Sequence, residues 1–194
     1  MLRMLFILIF VISYQSLNAK NDDWSSYGKD SGGGHYSEAD EITPENVKNL
    51  KKIWTHRSGD FHAGLNWTED VTPNSSQQTS FQATPILVND TLFYCTPYNR
   101  VFALDPETGK EKWVFDPKVE IEQKALLHCR GVGSWIDINK SENEECYHRI
   151  ITGTIDAELF AIDGKTGKLC SDFGEYGKVN LRDGLGQHLS LIHI

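Results

Sequence analysis

Four cysteines carry the plainest chemistry in this chain of 194 residues, at positions 95, 129, 146 and 170. Their spacing does not suit zinc, because there is no Cys-x-x-Cys and no histidine at ligand spacing. No Cys-x-x-Cys-His occurs for haem attachment either. In an exported protein they can form disulfides, and four cysteines allow three pairings. Cys129 and Cys146 bracket a polar insertion, Asp137 to Glu145, and are the expected pair, with buried free thiols as the alternative. Two acids recur in a shared setting: Asp105 and Asp163 each stand three residues before a Thr-Gly-Lys. Asp and Thr can bond backbone groups within a turn and Gly takes positive φ, so both acids read as structural rather than catalytic.

Export is expected from residues 1–19, which read as a signal peptide. Arg3 is followed by an apolar run, Met4 to Ile12, that is too short to span a bilayer, and Ala19 is a small residue suited to cleavage. An uncleaved anchor is the alternative. The formal charge is −8, and loss of Arg3 with the leader makes it −9. No basic run or stripe occurs, which argues against a nucleic-acid partner. Asn66, Asn74, Asn89 and Asn139 begin Asn-x-Ser/Thr tripeptides, which are common by chance.

The elements that must position these residues are short strands. Phe81 to Phe115 reads as four of them: 84–88, 91–94, 101–104 and 111–115, separated by Asn-Asp, Asn-Arg and Pro-Glu-Thr-Gly turns. The pattern returns. Phe102-Ala-Leu-Asp105 and Phe160-Ala-Ile-Asp163 are 58 residues apart, each followed by Thr-Gly-Lys. Four strands per copy at this period predict blades of a β-propeller. A second blade should run from near Cys129 through 149–156 and 158–163 to a last strand at 168–173. Before the first blade, Asn21 to Asp40 should run over a surface, pinned by Trp24 and Tyr27. Residues 42–50 (ITPENVKNL) predict a short helix capped by Thr43. Leu50 to Arg57 alternates as a strand in which Trp54 stands where Trp113 stands in the first blade. It is a last-type strand with no first three, which predicts ring closure by a C-terminus beyond this chain. Residues 20–188 thus read as about three blades of a longer protein, and 189–194 as a tail resembling translated adaptor sequence.

Several segments together carry a family pattern: Asp23-Trp-Ser-Ser-Tyr-Gly28, Ile42 to Lys51, Phe81-Gln-Ala-Thr-Pro-Ile86, Leu92-Phe-Tyr-Cys-Thr-Pro97, Asn99 to Asp105, Cys129-Arg-Gly-Val132 and Gly167-Lys-Leu-Cys170. They resemble the N-terminal part of quinoprotein dehydrogenases, in particular the PQQ-dependent glucose/quinate/shikimate type. The resemblance implies an all-β, eight-bladed propeller with pyrroloquinoline quinone (PQQ) over its axis. PQQ is a planar ortho-quinone with three carboxylates, so its site needs cationic and amide donors. Arg130 matches the family's Cys-Arg-Gly arginine, and a guanidinium pairs with carboxylates in bidentate fashion. Gln82 stands where many relatives carry a cofactor-bonding Glu, and Thr154 matches a Thr that reaches the cofactor. Where some relatives place a substrate-region His four residues before the Arg, this chain has Leu126, and His128 stands two residues before it.

The implied chemistry is oxidation of a sugar, polyol or other alcohol. A carboxylate takes the hydroxyl proton, hydride passes to the quinone, and a calcium or similar divalent ion polarises the quinone oxygen. The catalytic base and metal ligands are expected outside this chain, so no catalytic residue is nominated within it. The electron acceptor implied is a membrane quinone or cytochrome, and the location periplasmic, with membrane association open. The competing functions are a non-enzymatic propeller of the same repeats serving as an envelope protein-binding scaffold, and a carbohydrate-binding propeller. The first usually carries a lipid-anchor Cys and lacks Cys-Arg-Gly-Val; the second would lack a quinone absorbance band.

Overall fold

The computed structural model describes residues 23–30, 32–61, 78–121 and 126–184. The expected leader, the tripeptides at Asn66 and Asn74, and residues 189–194 lie outside the described residues. Two four-stranded antiparallel sheets dominate. The first is a meander of β2 (Ile86–Val88), β3 (Thr91–Cys95), β4 (Val101–Leu104) and β5 (Glu111–Phe115). The second runs in the order β10-β9-β8-β7, with β7 Gly133–Ile136, β8 His148–Gly153, β9 Glu158–Asp163 and β10 Lys178–Asn180. A two-stranded parallel pair, β1 (Gln78–Phe81) and β6 (Leu126–Cys129), accompanies them.

The turns form as their chemistry dictates. Asn89 and Asp90 both take positive φ, 48° and 51°, as a two-residue hairpin turn requires. Asp105 Oδ1 accepts from Thr108 N at 2.8 Å and Thr108 Oγ1 at 2.7 Å, and Asp163 Oδ1 accepts from Thr166 N at 2.7 Å and Oγ1 at 2.8 Å. Gly109 and Gly167 close the two turns at φ 69° and 75°.

Alternation sorts the side chains of the first sheet between two cores. Phe93, Cys95, Val101 and Ala103 pack with Ile150, Phe160 and Ile162 of the second sheet and with Val132 just before it, so the main core lies between the sheets. Tyr94, Phe102 and Leu104 point the other way and meet Trp54. The two tryptophans are equivalent. Trp54 Nε1 donates to Pro106 O at 3.0 Å and its ring covers Gly109; Trp113 Nε1 donates to Gly164 O at 3.1 Å and its ring covers Gly167. Each sheet is therefore docked to the preceding segment by the same contact.

Several local expectations are corrected. Residues 42–50 form only a 3-10 turn, Val47–Asn49. Asn46 Oδ1 accepts from Thr43 N at 2.8 Å and Val47 N donates to Thr43 O at 2.9 Å, which opens a first turn, but the bonds that follow, Asn49 N to Asn46 O and Leu50 N to Val47 O, span three residues and not four. The strand expected over Leu50 to Arg57 is absent: the segment joins no ladder among the described residues and is held by Trp54 and His56. The edge of β9 is covered by two pieces instead of a strand at 168–173. Leu169 bridges Ile162, the chain turns through Gly174 and Gly177, both at positive φ, and β10 then pairs with Glu158–Phe160. Trp24 does bridge Leu87, with N–O distances of 2.7 and 3.0 Å, but Tyr27 is 66% exposed and pins nothing to the core.

The expected Cys129–Cys146 pair is also wrong. Cys95 bonds Cys129 and Cys146 bonds Cys170, with Cα–Cα distances of 5.9 and 5.7 Å. Residues 137–147 are closed by their own turn, Asp137 N to Tyr147 O at 2.8 Å, at the end of the second sheet remote from Cys129.

Candidate functional site

The last rung of the parallel pair joins Phe81 to Cys129, so Gln82 and Arg130 leave it side by side. Thr84 N donates to Arg130 O at 2.9 Å and keeps the two segments together beyond the strands. Alternation places Ser80 and His128 on one face; Gln82 and Arg130 follow directly beyond the strands, and Gln82 Nε2 bonds Ser80 Oγ at 3.0 Å. The other face carries Phe81, the fully buried Leu127, and Cys129 with its disulfide. Gln82 and Arg130 are exposed. Among the described residues, the Arg130 guanidinium makes no hydrogen bond or ion pair.

Thr154 lies at the same end of the molecule. Gly133, three residues after Arg130, pairs with Ile151, three residues before Thr154. The Thr154 side chain is buried, and its hydroxyl donates to Glu158 O at 3.4 Å and accepts from Glu158 N at 3.3 Å. The hydroxyl thus serves the β8–β9 turn. Gln82, Arg130 and Thr154 thus come to one end, where Gln82 and Arg130 adjoin as the residues next after the last paired rung.

Two residues here escaped sequence reasoning. Asn99 is buried at φ 57°, donates from Nδ2 to His128 O at 3.2 Å, and accepts at Oδ1 from Ile155 N at 2.8 Å. It links the first sheet to β6 and to the turn carrying Thr154. An Asn in a tight turn is the available signal, but its partners lie 29 and 56 residues away. Near it, His128 Nδ1 is buried with no hydrogen-bond partner.

The donor set suits a planar, anionic ligand: an exposed guanidinium without a partner among the described residues and a primary amide leave the same pair of strands at adjoining positions. It does not suit a metal. Among the described residues, the grouping at ligand distance is Cys146, Cys170 and Asp172. Both sulfurs are in a disulfide, and Asp172 pairs with Arg149 at 2.7 Å and Lys140 at 3.0 Å.

The opposite face of the first sheet carries a groove of about 590 Å³, lined by Trp54, His56, Phe81, Pro85, Tyr94 and Leu104 among others. Tyr94 Oη lies 2.5 Å from His56 Nδ1, and His56 Nε2 lies 2.8 Å from Glu111 Oε1. The Tyr94 ring stacks on Phe102 at 5.5 Å. Burial pushes the Tyr94 phenol up to about 12, and the Glu111 charge adds to it. In the unfolded chain the same phenol ionises near 10, so this group's contribution to stability is whole below pH 10 and is lost as pH rises towards 12. Spectrophotometric titration at alkaline pH should show a late tyrosine step that Tyr94→Phe removes.

The chain matches the family description "PQQ: Glucose/ethanol/alcohol dehydrogenase, beta-propeller domain" over residues 24–192. It is 38% identical over 175 residues to quinoprotein glucose dehydrogenase A of Acinetobacter calcoaceticus, covering 83% of this chain and 20% of that protein. It is 36% identical over 186 residues to the quinate/shikimate dehydrogenase (quinone) of Acinetobacter baylyi, covering 87% and 21%. Among solved structures it resembles quinohemoprotein alcohol dehydrogenase from Comamonas testosteroni, with a TM-score of 0.58 at 24% identity, covering 86% of this chain and 20% of that one. That likeness shows the propeller fold. The chain spans about a fifth of the length of the curated relatives it matches. Two docked blades, the tryptophan contacts between them and the match along nearly all of the chain agree: this chain belongs to the PQQ-dependent quinoprotein dehydrogenase family, as part of its β-propeller domain.

Proposed function

We propose that the protein carrying this chain oxidises a sugar, polyol or other alcohol hydroxyl, with PQQ as cofactor. The observation that carries the reading is the exposed Arg130 guanidinium, without a partner among the described residues, at the position adjoining Gln82 in a chain of this family. Arg130 would pair with a PQQ carboxylate and Gln82 would bond a polar edge of the ring system. Thr154 would contribute by holding the β8–β9 turn at the same end, with its hydroxyl already engaged. Bound PQQ supplies a two-electron acceptor for hydride. A calcium or similar divalent ion and the proton-accepting carboxylate would come from outside this chain. A membrane quinone or a cytochrome is the proposed acceptor; relatives are named "(quinone)" in one case and "(cytochrome c)" in another. The proposed location is the periplasm, consistent with two buried disulfides, which persist in oxidising compartments.

The test is a PQQ titration of the full-length apoprotein, followed by absorbance. Arg130→Ala should weaken binding by about 30-fold or more, the scale of a lost charge-assisted pair of ~2 kcal/mol. Arg130→Lys should recover part of it, because a point charge replaces a bidentate fork. No quinone band, or unchanged binding in Arg130→Ala, would reject the site.

A further inference from the structure

Three consecutive residues, 128 to 130, are each tied to the first sheet by a different link. His128 O accepts from Asn99 Nδ2 at 3.2 Å. Cys129 Sγ is bonded to Cys95 at the end of β3. Arg130 O accepts from Thr84 N at 2.9 Å. Strand β6, which carries 128 and 129, belongs to neither four-stranded sheet and, among the described residues, pairs with the four-residue β1 alone. So short a parallel pair is a weak anchor by itself. The covalent link is the central one of the three, immediately before the arginine. Both sulfurs are buried, with Cys95 at 0% and Cys129 at 8% exposure.

The second disulfide offers an internal contrast. Cys146 lies two residues before His148, at the end of β8 opposite to Thr154. Cys170 follows the turn after Asp163 at that same far end. Neither neighbours Gln82, Arg130 or Thr154.

We propose that the Cys95–Cys129 disulfide, backed by Asn99, is a positioning element for Arg130: it holds the arginine backbone in register with Gln82, so that the anionic cofactor meets both at once. This rests on the reading of Arg130 as a PQQ contact. A guanidinium on a long side chain finds a bidentate partner at little entropic cost only when its Cα is fixed. Cys146–Cys170 has no such part and serves stability alone.

The experiment compares two double variants of the full-length protein, Cys95→Ala/Cys129→Ala and Cys146→Ala/Cys170→Ala. PQQ dissociation constants are measured by titration and unfolding midpoints by heating. The first pair should raise the dissociation constant by about 10-fold, and the second should change it by less than about 2-fold despite a comparable loss of midpoint. In an Arg130→Ala background, removing Cys95–Cys129 should add less than about 3-fold, because both changes remove one interaction. Asn99→Ala leaves both disulfides in place and should weaken binding in the same direction; it carries the test if the first pair does not fold. Equal weakening by the two disulfide pairs, or full additivity with Arg130→Ala, overturns the positioning role. Unchanged binding in Arg130→Ala alone overturns the underlying reading of the site, which is a separable result.

Discussion

Replacing Asp163 by alanine should destabilise the protein by about 3 kcal/mol or more, whereas Asp105→Ala at the equivalent turn should cost far less. Both acids hold an Asp-x-x-Thr-Gly turn, but their surroundings differ. Asp163 is 3% exposed, and besides the Thr166 bonds its carboxylate accepts from Lys165 N at 3.1 Å and, through Oδ2, from Cys146 N at 2.6 Å. Alanine would leave those amides without partners, the Cys146 amide in a buried position. Asp105 bonds only within its own turn, near solvent. Urea unfolding of the two variants checks the contrast, and equal midpoints would refute it. A pH effect follows with a definite sign. Burial pushes the Asp163 carboxyl up, but hydrogen bonds from Cys146, Thr166 and Lys165 outweigh it and hold the group below its ordinary value of 3.8. The carboxylate's contribution is therefore present above about pH 4 and is lost as pH falls through the lower folded value. Asp163→Asn should remove that part of the acid limb.

The second large effect is expected at the glycines beneath the docking tryptophans. A Cβ on Gly167 would lie 2.8 Å from the Trp113 ring, and one on Gly109 would lie 2.6 Å from the Trp54 ring. Both glycines also have left-handed φ, 75° and 69°, which itself costs an alanine about 1 kcal/mol. Gly167→Ala and Gly109→Ala should each lower stability by about 2–4 kcal/mol, as the ring must leave its seat. Trp113→Phe keeps an aromatic cover but loses the donor to Gly164 O, at a cost of about 1 kcal/mol. Thermal midpoints give the ranking, and tryptophan fluorescence reports whether the ring has moved. A neutral Gly167→Ala would mean that the ring does not seal the contact between blades.

Much of this architecture is legible in the residues because its causes are local. Strand alternation, the Asn89-Asp90 turn and the two Asp-x-x-Thr-Gly turns depend on neighbours a few positions apart. The equivalence of Trp54 and Trp113 could be read from the repeat, and the structure adds the glycine each one covers. The helix expected at 42–50 shrinks to a single 3-10 turn, because the bonds after the first, Asn49 N to Asn46 O and Leu50 N to Val47 O, span three residues and not four. The last strand of the second blade was misplaced because Gly174 and Gly177 turn the chain before it pairs again.

The candidate site was legible only residue by residue. Arg130 and Gln82 were nominated through family resemblance, and no pattern in the chain says that they adjoin. Their adjacency comes from the parallel pairing of two four-residue strands whose partners are 48 positions apart, Phe81 with Cys129. Strands so short carry no distinguishing periodicity, and parallel pairing leaves no hairpin turn to announce it. The disulfides follow the same rule. Proximity in sequence favours Cys129 with Cys146, but Cys129 precedes β7 at one end of the second sheet while Cys146 lies beyond its other end. The repeat, its turns and the four strands of the first blade are written in the residues, because these rest on side-chain alternation and short-range hydrogen bonds. Which cysteines pair, that Asn99 joins three segments, and that Arg130 and Gln82 adjoin emerge in three dimensions alone, because each of these depends on register between segments brought together through space.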